Sequence, residues 1–183
     1  MDLFEAIRLQ QVAEVRRLLA AGVDPDARDA RGTPAIVVAL DAATFPGAGD
    51  PAVLRLLRDA GADPAPLEMA LRRQLAALPA TLARLHDEIG GQLLVQVPRL
   101  HAVARDLAPV ERDELGVFAR DAQAFFTDSD TLRAEAGRLH DRFGGDDLDA
   151  AVDLLTRVAG FELRATGLAI RMEALVHRFA PDR

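Results

Sequence analysis

From Leu67 onward apolar residues recur at alternating intervals of three and four, the period of one helix face. Leu93, Val97, Leu100, Ala104 and Leu107 form one stripe, Leu115, Phe118, Ala122 and Phe125 a second, and Leu132, Ala136, Leu139 and Phe143 a third. The longest runs Leu154, Val158, Phe161, Ala165, Leu168, Met172, Leu175, Phe179 and keeps the alternation throughout, as helices with coiled-coil-like packing do. Gly90-Gly91, Pro98, Pro109, the cluster Thr127-Asp128-Ser129-Asp130 and Gly144-Gly145 interrupt the pattern. The spacing therefore predicts helices over 67–78, 80–89, 92 or 98–107, 110–126, 131–143 and 147–179, an α-helical bundle over 67–183. The last would be about 50 Å long, with Gly160 and Gly167 allowing a bend. That length suits either a bridge between the two halves of the chain or a projection that pairs with a second copy as a homodimer.

Ahead of the bundle the sequence repeats itself. Val15-Arg16-Arg17-Leu18-Leu19-Ala20-Ala21-Gly22-Val23-Asp24-Pro25 returns as Leu54-Arg55-Leu56-Leu57-Arg58-Asp59-Ala60-Gly61-Ala62-Asp63-Pro64. Each is the end of an amphipathic helix, stopped by Gly at the left-handed cap and by an Asp-Pro that cannot continue it. Between them, in Asp29-Ala30-Arg31-Gly32-Thr33-Pro34-Ala35-Ile36-Val37-Val38-Ala39, Gly32 allows a tight turn, Thr33 can cap, and Pro34 suits the first helical position.

Asp29, Gly32, Thr33, Pro34, Ala39, Leu56, Leu57, Gly61, Ala62 and Asp63 together resemble the ankyrin repeat, over residues 2–66. Residues 2–28 look like a first repeat without its hairpin. Ile36 stands where that family usually has a His, which removes the hydrogen bond tying neighbouring repeats through that side chain. The two glycines are 39 residues apart rather than the family's 33, which places an insertion near Thr44-Phe45-Pro46-Gly47-Ala48-Gly49. A degenerate third repeat is expected over 67–90: Ala65-Pro66-Leu67-Glu68-Met69-Ala70 echoes the family motif, and the segment from Pro79 to Gly90 would be its second helix. A stack this short needs support from the rest of the chain. The resemblance implies protein binding through hairpin tips and the concave face, and it places Arg28, Ala30 and Arg31 at the one full hairpin, with Phe45 in the inserted loop on the other side. Arginine suits such a role, being planar, multidentate and cheaper to desolvate than an ammonium. Against that stands the plainer reading of arginines that solubilise a turn.

Composition narrows the chemistry. The chain has 183 residues, 29 acidic against 22 basic, a formal charge of −7 and no cysteine. Disulfides, thiolate metal sites and cysteine nucleophiles are excluded, and the cation deficit argues against a nucleic-acid partner. All basic residues besides histidine are arginines and Ser129 is the single serine, so most nucleophilic mechanisms lack their reagent. Abundant Ala, Leu and Arg favour an all-α fold. The start, Met1-Asp2-Leu3-Phe4-Glu5, lacks a signal-peptide pattern, and no run of about 18 apolar residues exists, so a cytoplasmic protein without membrane contact is expected.

The expected helix ranges place His86, His101, His140 and His177 on different helices, and one from each could build a metal site in a bundle. Three of them follow a stripe leucine, about 100° off the seam, and neither Glu-x-x-His nor His-x-x-x-His occurs. They read as boundary residues, with no metal or cofactor. Asp146, Asp147, Asp149 and Asp153 read as carboxylates favoured at a helix start, as do Glu111, Asp113 and Glu114. Glu173 and His177, four apart, read as a surface pair. The expectation is a non-enzymatic, all-α interaction module: a short ankyrin-like array and a helical bundle with a long C-terminal helix. It would bind a protein partner as an inhibitor of immunity type or as a scaffold; the alternative is a small-ligand or metal sensor that uses the bundle.

Overall fold

A computed structural model describes residues 1–45 and 51–180. The described residues form α1 (Leu3–Arg8), α2 (Val12–Ala20), α3 (Ala35–Ala43), α4 (Ala52–Asp59), α5 (Pro64–Leu85), α6 (Gly91–Val103), α7 (Pro109–Arg142) and α8 (Leu148–Phe179), with no strand. A π-helical turn over His86–Gly90 joins α5 to α6, and short 3-10 turns follow α6 and precede α8. The all-α class is as expected. No described helix is long and apolar enough to cross a membrane.

Two compact units divide the chain, Met1–Ala77 with Ala136–Gly160, and Leu78–Glu135 with Phe161–Arg183. The helices α5, α7 and α8 each contribute residues to both units.

In the first unit α1 packs on α2 and α3, and α4 on α2 and α3, first helix against first and second against second. The repeated sequence folds the same way twice. Val23 N donates to Leu18 O and Gly22 N to Leu19 O, and after α4 Ala62 N donates to Leu57 O and Gly61 N to Arg58 O. Gly22 and Gly61 sit at φ +87° and +90°, where a side chain would be strained. The reversals also match: Asp24 Oδ1 accepts from Asp26 N, Asp63 Oδ1 accepts from Ala65 N, and Asp26 Oδ1 accepts from Asp63 N at 2.7 Å, tying one turn to the next. Leu67, Leu71 and Leu75 of α5, Leu139 and Phe143 of α7, and Leu148, Val152, Leu154 and Leu155 of α8 are buried in this unit. Arg58 pairs with Asp149, and the Arg72 guanidinium lies 5.3 Å above the Phe143 ring.

In the second unit the stripes of α7 and α8 face one another: Leu115, Phe118, Ala122, Phe125 and Leu132 are buried, as are Phe161, Ala165, Leu168, Met172 and Leu175. The Phe125 and Phe161 rings stack with centroids 5.2 Å apart.

Several expected breaks are absent. Residues 64–85 are one helix, so 67–90 do not form a third helix pair, and Pro79 and Pro98 each sit inside a helix at the loss of one backbone bond. Gly90 and Gly91 continue the helical conformation. A Cβ on Gly90 would meet Phe126 Cε1 at 2.9 Å, so glycine there serves close packing. Thr127–Asp130 lie within α7, where three of the four side chains that could compete with the helix have a partner: the Thr127 hydroxyl donates to the carbonyl four residues back, as that of Thr131 does, Asp128 takes Arg164, and Ser129 meets His86. Pro34 is the residue before α3 rather than its first. Pro109 does open α7, and Glu111 Oε2 accepts from Ala108 N at 3.2 Å, closing that end as a capping box does.

Candidate protein-binding surface

The hairpin between α2 and α3 is built around Asp29. Arg28 and Pro34 form an antiparallel bridge, and Asp29 N donates to Thr33 O at 3.0 Å. Gly32 N donates to Asp29 O at 2.8 Å, with Gly32 at φ +80° as a short hairpin turn requires. Asp29 Oδ1 accepts from Arg31 N and from Thr33 N, each at 2.9 Å, and Oδ2 accepts from Arg8 Nη2 at 3.1 Å. The Thr33 amide first, and the Arg31 amide and Arg8 charge after it, hold the Asp29 carboxyl below its usual range against a smaller opposing effect of burial. Five residues thus form a tip fixed from inside and anchored to α1.

Arg28, Ala30 and Arg31 are all exposed on this tip, but the two arginines differ. Arg28 Nη1 donates to Gly32 O at 2.9 Å and so staples the hairpin. The Arg31 guanidinium has no bonded partner among the described residues, so its planar donors face solvent while its backbone is held. Phe45 is 69% exposed. It follows the end of α3 whereas the tip precedes its start, roughly 13 Å away along the axis, so the two are not brought together. The rest of the expected insertion, 46–49, lies outside the described residues.

The histidines do not converge. His101, His140 and His177 are exposed on α6, α7 and α8. His86 is half-buried in the π-helical turn, its Nδ1 3.3 Å from Ser129 Oγ and its ring 5.5 Å edge-on from Phe126. No group of three or more metal-ligating side chains occurs among the described residues. Ser129 is fully buried, so the single serine is placed for a structural bond and is not open to a substrate.

Missed by the pattern reading was a ladder of ion pairs along one side of the α7–α8 seam. Arg178 pairs with Glu111 and Glu114, Arg171 with Asp121, and Arg164 with Asp128. The acids at 114, 121 and 128 and the arginines at 164, 171 and 178 are each seven apart and flank the buried stripe on the same side in each helix. That is the position from which antiparallel helices pair their charges. The same period extends in the sequence to Glu135 and Arg157. Extending the heptad register from apolar to charged positions would have found it.

Comparison with family models, with curated proteins and with solved structures returns no match for this chain.

Proposed function

We propose that the protein is a cytoplasmic, non-enzymatic interaction module whose N-terminal helices are a short ankyrin-like array, and that it recognises a protein partner through the Ala30-Arg31 hairpin tip. One observation carries this: Asp29 spends both oxygens on fixing a turn whose outermost cation is left uncommitted. On a backbone already ordered, binding an acidic surface costs the rotamer entropy of the arginine side chain, about 0.5–1.5 kcal/mol, but not the ordering of the loop. Arg28 holds the hairpin and is not a contact of equal standing. The matching turn geometry after α2 and α4 supports the repeat reading. The absence of cysteine and the burial of the single serine fit a non-catalytic role. Inhibition of an effector and scaffolding of a complex both fit such a surface.

Capture from native lysate with the intact protein and with Arg31→Glu tests this. The expected result is one stoichiometric protein retained by the first and lost, by about tenfold or more in affinity, from the second at unchanged melting temperature. Equal retention by both would remove the tip from the interface. A second copy of the chain is the other candidate partner. The α8 stripe is buried within this chain, so a homodimer through α8 would have to use the exposed Leu163 and Ile170; light scattering distinguishes it.

A further inference from the structure

We propose that the groove between α7 and α8 in the second unit binds a small, flat apolar molecule carrying one anionic group. The inference is independent of the hairpin reading. Two rungs of the ladder, Asp121–Arg171 and Asp128–Arg164, stand seven residues apart on both helices and so bound a groove about 10 Å long. Its floor is apolar, made by the stacked Phe125 and Phe161 rings and Leu168. Ala124, Ala165 and Gly167 leave the space above that floor unfilled, and a Cβ added to Gly167 would meet nothing within 4 Å. The cavity measures about 440 Å³, within the range of small-molecule sites of this kind: a mainly apolar lining with a few fixed polar groups.

The polar groups select the charge. Arg171 gives one terminal nitrogen to Asp121, and its guanidinium lies 5.6 Å from the Phe118 ring centre, but its Nε is buried without a hydrogen-bond partner. A buried N–H left unmet is costly, and what it lacks is an acceptor. Arg164 uses only Nη2 toward Asp128, which leaves further donors at the other end. Asp121 and Asp128 hold both guanidiniums in place and cancel their charge at the rungs. Attraction of an anion therefore rests on short-range, bidentate-type hydrogen bonding and not on a long-range field. The formal charge of −7 opposes entry only weakly beyond about 8 Å at physiological salt. An aromatic carboxylate, sulfonate or phosphate ester meets these requirements: rings over Phe125 and Phe161, acid toward Arg171.

The probe is 8-anilinonaphthalene-1-sulfonate, paired with its uncharged counterpart N-phenyl-1-naphthylamine, both titrated into the intact protein by calorimetry and fluorescence. The expected result is saturable binding of both at one site per chain. Gly167→Leu fills the groove on a solvent-facing turn and improves helix propensity; it should weaken both probes about tenfold or more. Arg171→Met keeps the apolar stem and removes the donor, and should weaken the sulfonate several-fold while leaving the uncharged probe unchanged. Circular dichroism melts check that each variant is folded, and either variant alone still tests the proposal. Absence of saturable binding, or binding unaffected by Gly167→Leu, would overturn the site. Equal loss of both probes in Arg171→Met, or loss of neither, would overturn the anionic specificity.

Discussion

Asp29 fixes the hairpin with both carboxylate oxygens, and the fixing depends on its charge. Its pKa in the folded chain lies below the usual value of about 3.8, chiefly because the Thr33 amide donates to it. A carboxyl with a lowered folded pKa contributes stability above the unfolded value, and that contribution is lost as pH falls through the folded one. Asp41 runs the other way. Partial burial raises it, only partly offset by Gln74, so the folded state tolerates its protonation and stability from this group is lost as pH rises through its titration. Asp29→Asn keeps a side-chain acceptor but cannot titrate. The expected outcome is a small loss of melting temperature at neutral pH and a shallower fall between about pH 5 and pH 2 than the parent shows. Asp29→Ala removes every bond and should lower the melting temperature by several degrees more. A thermal series across pH checks both, and an unchanged slope in Asp29→Asn would place the acid sensitivity elsewhere. At this scale the sequence was informative where backbone geometry forces the residue: Gly22, Gly32 and Gly61 all have positive φ. It was uninformative where a tertiary partner decides, since nothing local says that the Arg28 guanidinium bonds Gly32 O while that of Arg31 has no partner among the described residues.

Helix faces were legible because burial follows period. Every member of the stripes Leu115 to Phe125, Leu132 to Phe143 and Leu154 to Leu175 is buried. Helix ends were not, because Gly90, Pro98 and Thr127–Asp130 carry local preferences against helix, strongest for Pro98, that packing overrides. Ser129 shows the mechanism: it occupies a seam position of α7, and its hydroxyl is matched to His86 across the unit, so a residue that usually ends helices instead fixes register. The charge ladder acts at the same scale. Its rungs are half-exposed, so each should contribute only about 0.2–1 kcal/mol, and their larger role is to specify which helix sides meet. Arg164→Glu, which sets like charges at Asp128, should lower the urea midpoint; adding Asp128→Arg to it should restore most of the loss. The recovered coupling should shrink in high salt, where exposed pairs are screened. A double variant no more stable than Arg164→Glu alone would mean that the rungs do not pair in solution.

For the molecule as a whole, the first compact unit is discontinuous in sequence: the shortness of the stack called for support from the rest of the chain, but the local pattern does not say which segment supplies it. The stack of α1 to α4 presents Val53, Leu54 and Leu57, and α5 presents Leu67, Leu71 and Leu75, all buried; Leu148, Val152, Leu154 and Leu155 of α8 are buried in the same unit. A two-repeat stack cannot cap its own apolar end, and here chain that lies 60 or more residues further along closes the unit. Each large apolar side chain uncovered costs about 1.5–3 kcal/mol, against a net stability of about 5–15 kcal/mol for a whole domain. Removing residues 136–160 also removes Asp149 from Arg58 and Phe143 from Arg72. A fragment ending at residue 90 is therefore expected to lose cooperative unfolding, bind apolar dyes and be cleaved quickly by proteases within α4 and α5, although it contains both repeats entire. The intact chain under the same conditions should show protected α4 and α5. Limited proteolysis with mass spectrometry reads the difference directly. A protected, cooperatively melting 1–90 fragment would mean that the repeats stand alone, and that the helices of 136–160 rest against a unit already complete.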